Sequence, residues 1–241
     1  MPIFTRGETK LYYEDHGKGF PLLLIAPGGM RSAVSFWEKT PWNVITQLAP
    51  HYRVIAMDQR NAGNSSAPVR ATDTWSVYTD DQLALMDHLG VQRFHTAGMC
   101  IGGSYCMGLI QAAPQRVASA VLFQPIGLSS NNRPAFFEMF DGWAKELRAT
   151  HPEANDAAWE TFKKTMYSGD FLFNVSRDFV ARCATPLLVL LGNDMYHPEE
   201  TSRDIVALAP NATLIEHWKE PEHQAAAKAG VEQFLAKNTP R

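Results

Sequence analysis

Short apolar runs recur along the chain, separated by longer stretches in which apolar residues return at helical spacing. Ile3 to Arg6 and Lys10 to Asp15 read as a hairpin turning at Gly7-Glu8. Pro21-Leu22-Leu23-Leu24-Ile25-Ala26 is apolar without interruption, as expected of a strand buried on both faces. Tyr52 to Asp58, a short segment from Phe94, Val117 to Gln124, Thr185 to Gly192 and Ala212 to Glu216 read as further strands. Trp42 to Leu48, Thr74 to Leu89, Ile101 to about Ala113, Glu200 to Leu208 and Ala225 to Ala236 read as helices. The second of these carries Val77, Leu83, Met86 and Leu89 at helical spacing and stops at Gly90, a C-cap residue. Strands alternating with helices predict an α/β fold with a mostly parallel sheet flanked by helices.

The alternation lapses from Pro125 to Ala184. Pro134 to Thr150, Asn155 to Tyr167 and Ser176 to Cys183 read as helices in succession, rich in Phe and Trp. The expected organisation is therefore a core of residues 1–124 and 185–241, with 125–184 inserted as a small helical lid. Most of the lid aromatics would pack it onto the body, and a minority, Phe137 and Trp143 among them, would face a substrate.

Composition narrows the function classes. A chain of 241 residues with a formal net charge of -3 suits one globular domain and offers no basic patch for nucleic acid. No apolar run approaches the roughly 20 residues that span a bilayer, so no membrane partner is expected. The N-terminus lacks the basic-then-apolar pattern of a secretory signal, which leaves a cytoplasmic location as the expectation. The three cysteines, Cys100, Cys106 and Cys183, form no C-x-x-C pair and no disulfide framework. Neither a metal-ligand spacing nor a G-x-G-x-x-G after the first strand is found, so no metal and no cofactor are expected. The expected partner is a small-molecule substrate; assembly into a homo-oligomer is left open.

The chemistry centres on Gly98-Met99-Cys100-Ile101-Gly102, between a strand and a helix. This is the G-x-S-x-G nucleophile elbow with cysteine in the serine's place. The turn strains the nucleophile's backbone and brings its neighbours two positions away close together, so glycines are needed there. Cys100 would stand at a helix N-terminus, which favours thiolate over thiol. Pro27-Gly28-Gly29, Asp58-Gln59-Arg60 and Cys100 all fall at carboxyl ends of strands, the edge where open parallel sheets bind ligands.

With these pieces in order, the chain resembles the α/β-hydrolase superfamily over nearly its whole length. The resemblance rests on the apolar strand into Pro27-Gly28-Gly29, the Asp58-x-Arg60-x-x-Gly63-x-Ser65 loop, the elbow, Asp194 with Pro198, and His223 ahead of the last helix. It implies an α/β-hydrolase fold and a triad in the family's chain order, Cys100, Asp194 and His223. The elbow is similar to the Gly-x-Cys-x-Gly-Gly of dienelactone hydrolases and polyhydroxyalkanoate synthases. Pro27 stands where many members have histidine, and Asp194 follows Gly192 by two residues where three is commoner.

In that arrangement His223 takes the thiol proton, Asp194 orients His223, and the N–H of Ile101 with that of Gly29 or Met30 binds the oxyanion. Phe36, Trp37, Phe137, Trp143 and His197 are the expected substrate contacts; His197, three residues after Asp194, is also the rival base. Asp58 and Arg60 are expected to brace their loop. The first function these residues suggest is hydrolysis of a small apolar ester, lactone or thioester through a thioester on Cys100: an esterase, lactonase or thioesterase. The rivals are an acyltransferase using the same thioester, and a ligand-binding protein on the hydrolase scaffold.

Overall fold

The structure is a computed structural model that describes residues 2–240. Its spine is an eight-stranded sheet in the order β1-β2-β4-β3-β5-β6-β7-β8. The strands are β1 (Ile3–Arg6), β2 (Thr9–His16), β3 (Pro21–Ile25), β4 (Arg53–Met57), β5 (Phe94–Met99), β6 (Val117–Phe123), β7 (Leu187–Leu190) and β8 (Ala212–Ile215). The first two pair antiparallel, β2 pairs antiparallel with β4, and every pair from there to β8 is parallel.

Period-two alternation explains how the central strands bury both faces. In β3, Leu22 and Leu24 point to one layer, while Leu23 and Ile25 point to the other. The first layer is covered by α1 (Val44–Leu48) and α8 (Pro221–Asn238), through Val44, Leu48, Val231 and Leu235. The second is covered by α2 (Trp75–His88) and α3 (Ile101–Ala112), through Leu85, Met86, Tyr105 and Leu109. Asn43 opens α1 by accepting hydrogen bonds from the amides of Ile45 and Thr46, a side-chain N-cap.

Between β6 and β7 the chain forms α4 (Arg133–Leu147), α5 (Asp156–Tyr167) and the short α6 (Arg177–Ala181); α7 (Glu199–Leu208) then links β7 to β8. Phe136, Phe140, Trp143, Trp159, Phe162 and Tyr167 are each at most 1% exposed and join the α3-side core. This explains the aromatic content of the stretch: the rings join these helices to the body.

The last helix departs from expectation in a way that bears on the chemistry. It begins at Pro221, a turn ahead of the expected start at Ala225. Proline is favoured at the first helical position, where its missing N–H costs nothing. His223 therefore lies in the first turn of α8, not in a loop before it. Among the described residues no helix is long and apolar enough to cross a membrane.

Candidate active site

Cys100 sits between β5 and α3 with φ 60° and ψ -121°, a conformation that costs a non-glycine residue about 1–3 kcal/mol. The surroundings hold it there. Its N–H donates to the carbonyl of Phe123 at 3.0 Å, and its own carbonyl accepts from Gly103 at 3.0 Å and Ile126 at 3.2 Å. The flanking glycines are required by space. A Cβ on Gly98 would lie 2.2 Å from the Gly102 carbonyl oxygen, and one on Gly102 would lie 2.5 Å from that of Ile25.

The loop after β7 supplies the partners. Asp194 accepts hydrogen bonds from the amide of Tyr196 at 2.9 Å and from that of His197 at 3.1 Å. His197 Nδ1 contacts both carboxylate oxygens, at 2.7 and 2.8 Å. The loop can fold back this tightly because Gly192 has no side chain: a Cβ there would meet the His197 carbonyl at 2.5 Å. His197 is buried, and its Nε2 faces the Cys100 thiol. By strict distance and angle that last contact is not a completed hydrogen bond. Catalytic pairs are often misaligned before substrate binds and tighten when it does.

Charge links the three groups. Burial works to raise the Cys100 thiol, but the charge of the adjacent His197 and the backbone N–H groups of Gly28 and Ile101 outweigh it, and the thiol is held below its ordinary value. Burial likewise works against the imidazolium of His197. The Cys100 thiolate and the bond to Asp194 prevail, raising His197 to about 9. Asp194 is lowered to about 2, chiefly by its hydrogen bond from His197. These directions all favour charge separation between Cys100 and His197 beside the Asp194 carboxylate.

Several expected positions are corrected. His223 lies on α8, its ring centroid 5.1 Å from that of His217, while Asp194 is paired with His197. The rival base therefore occupies the position expected of His223. The second amide beside the sulfur is that of Gly28, at φ 119°; Gly29 and Met30, the expected donors, form the 3-10 turn that follows. Trp37 is 1% exposed and packs edge-on against Phe123 in the α1–α8 layer, on the side of the sheet away from the helices α2 and α3. Trp143, equally buried, is enclosed by Phe140, Trp159 and Phe162 and donates to the carbonyl of Asn61 at 3.2 Å. It ties α4 to the Asp58 loop. Phe36 borders the site: its ring lies 3.3 Å from where a Gly28 Cβ would stand. Phe137 is half-buried under the Lys163 ammonium, 5.5 Å from its ring centroid.

Sequence reasoning missed Gly28 and also Met139, whose sulfur would lie 2.5 Å from a Cβ on Gly29 and which thus covers this turn. The Asp58 loop is braced from within. Asp58 accepts from the amides of Val34 and Asn64, both at 2.7 Å, and Arg60 donates to Asp81 at 2.8 Å. His217, Glu220 and His223 bring ligand-capable atoms within 4.8 Å of one another. They are exposed and lie at the positive end of α8, which disfavours a cation.

Residues 21–185 match the sequence profile of the alpha/beta hydrolase fold. A protein of Azorhizobium caulinodans named for carbamate hydrolysis, RutD, is 36% identical over 51% of this chain and 43% of its own length. The chain thus spans less than half of that relative. A 2-hydroxymuconate semialdehyde hydrolase of Pseudomonas sp. strain CF600 is 27% identical over 92% of this chain and 89% of its own. Among solved structures, the enol-lactonase of Burkholderia xenovorans LB400 superposes with a TM-score of 0.69 at 20% identity, covering 98% of this chain and all of the other. A meta-cleavage product hydrolase of Pseudomonas fluorescens IP01 gives a TM-score of 0.72 at 22% identity, covering 96% of each chain. At these identities the structures are similar in fold.

Proposed function

Because the chain belongs to the α/β-hydrolase fold family, we propose that it hydrolyses a small ester, lactone or thioester through Cys100, His197 and Asp194. The observation that carries this reading is His197, bonded to Asp194 through Nδ1 with Nε2 turned to a thiol whose proton affinity is lowered.

The Cys100 thiolate attacks the acyl carbonyl carbon, and the carbonyl oxygen takes the negative charge. The N–H groups of Ile101 and Gly28 stabilise that oxyanion; losing one such donor typically costs ~2.7–4 kcal/mol. As the tetrahedral intermediate collapses, His197 gives its Nε2 proton to the departing alkoxide or thiolate, leaving an acyl thioester on Cys100. Water then attacks the thioester while neutral His197 accepts its proton. Collapse expels the Cys100 thiolate and restores the ion pair. Asp194 keeps the ring oriented throughout and stabilises its charged form.

Thiolate leaves readily, so attack on an unactivated amide tends to reverse. Lactones, enol esters, activated esters and thioesters fit this balance better.

The test is intact-protein mass spectrometry after brief exposure to 4-nitrophenyl acetate, with peptide mapping. Acetyl on Cys100 that decays in water, is absent from Cys100→Ala, forms much more slowly in His197→Ala and is undiminished in His223→Ala supports the triad. An adduct that persists until an alcohol or thiol is added makes the protein an acyltransferase. No adduct on Cys100 in the folded protein removes nucleophilic catalysis and leaves the ligand-binding reading.

A further inference from the structure

Three tyrosines from different elements converge behind Cys100. Tyr105 lies on α3, Tyr78 on α2 and Tyr167 at the end of α5. They are 1%, 1% and 0% exposed. The ring of Tyr78 stacks on that of Tyr105 at 5.2 Å, and Trp75 joins Tyr105 to Tyr167 at 5.2 and 6.2 Å. All three hydroxyls are buried with no hydrogen-bond partner among the described residues, as are the adjoining Ser104 Oγ and Asn174 Oδ1. An unpaired buried hydroxyl costs about 1–3 kcal/mol, and native cores rarely gather several in one place. Such a cluster has the character of a binding site, and it borders the candidate nucleophile.

We propose that Tyr105 and Tyr167, backed by Tyr78, bind a neutral acceptor oxygen, such as a keto or amide carbonyl, on the acyl portion of the substrate. The proposal deepens the hydrolase reading and rests on Cys100 as the acylated residue.

Donor capacity supports it. Burial, followed by neighbouring negative charge that includes Cys100, raises both hydroxyls well above the ordinary phenol value. They stay protonated and can donate. One carbonyl oxygen has two lone pairs and can take a bond from each.

The charges nearby argue against a carboxylate. Arg60, 5.9 Å from the Tyr78 ring, is already held by Asp81 at 2.8 Å and Asp73 at 3.9 Å, and Arg6 adds to Asp81 at 3.4 Å. Two cations and two carboxylates balance, which leaves no free positive charge for a buried anion.

The experiment compares kcat/KM for 4-nitrophenyl hexanoate with that for its 4-oxo and 5-oxo counterparts. In the wild type the better oxo ester is favoured by about tenfold or more, from paired against unpaired hydroxyls. Tyr105→Phe and Tyr167→Phe each reduce that preference, and the double variant brings it to one. Equal values in the wild type, or a preference the double variant retains, would overturn the proposal and make the hydroxyls hydrated structural groups.

A second readout needs neither turnover nor acylation. Binding of 4-oxopentanamide and of pentanamide to Cys100→Ala is compared by ligand-observed NMR, with and without Tyr167→Phe. A preference for the oxo amide that Tyr167→Phe removes supports the subsite, even if wild-type Cys100 proves inert. Acylation of Cys100 with no oxo preference in either assay sinks the subsite and leaves the triad standing.

Discussion

At the scale of the residue, the proposed reactivity of Cys100 turns on His197. Burial raises a thiol's proton affinity, and here the imidazolium and two amides reverse that effect. Removing the cation in His197→Gln leaves burial less opposed, so the thiol pKa rises. At pH 7 the thiolate fraction falls about tenfold for each unit of that rise. Alkylation by iodoacetamide followed against pH should show a wild-type midpoint below the ordinary thiol value and a higher one in His197→Gln. Equal midpoints would mean that His197 does not govern the thiolate. The upper limb has the opposite sign. Acylation needs the Nε2 proton for the leaving group, and His197 surrenders it near about 9. The kcat/KM of ester hydrolysis should therefore be bell-shaped, declining as pH passes about 9. A rate still rising well beyond that point would argue for neutral histidine acting as base toward a thiol.

At the scale of the element, the elbow is a close contact between β5, α3 and β3. A methyl group on Gly98 must displace the Gly102 carbonyl, and one on Gly102 must displace that of Ile25. Overpacking of this kind costs about 1–3 kcal/mol and moves the first turn of α3, on which Cys100 depends. Gly98→Ala should lower the midpoint of urea unfolding and slow acylation of Cys100 together. Unchanged acylation in a destabilised variant would show the elbow to be more compliant than these distances imply. The glycines were readable beforehand because the motif is local. The Glu220-Pro221 pair marks the start of α8, four residues ahead of the expected start at Ala225. That four-residue difference removed His223 from the loop.

At the scale of the whole molecule, the rim is braced against the helices. Arg60 extends from the loop after β4 to Asp81 and Asp73 on and before α2, with all three side chains at most 6% exposed. Breaking a buried pair leaves an uncompensated charge, typically at about 3–5 kcal/mol. Arg60→Met should thus lower unfolding stability by about that much, because Asp81 keeps only the half-exposed Arg6. A loss under about 1 kcal/mol would indicate that burial has already shifted Asp73 toward its neutral form. The insertion between β6 and β7 belongs to the same unit. Its aromatics share a core cluster with α2 and α3, and through Tyr167 it contributes to the surroundings of Cys100.

The sequence by itself determined the alternation of strands and helices, the parallel sheet, the elbow and the carboxylate loop. Each is written in a local pattern: period two, helical spacing, or glycines at fixed offsets from a turn. The tertiary structure alone decided which histidine lies beside Cys100, which amide stands opposite Ile101, and which of the many aromatics are buried in the core. Those outcomes turn on a few ångströms of loop path after β3, β7 and β8. Side chains far apart in sequence meet there only once the sheet has assembled, and residue type and spacing do not encode that distance.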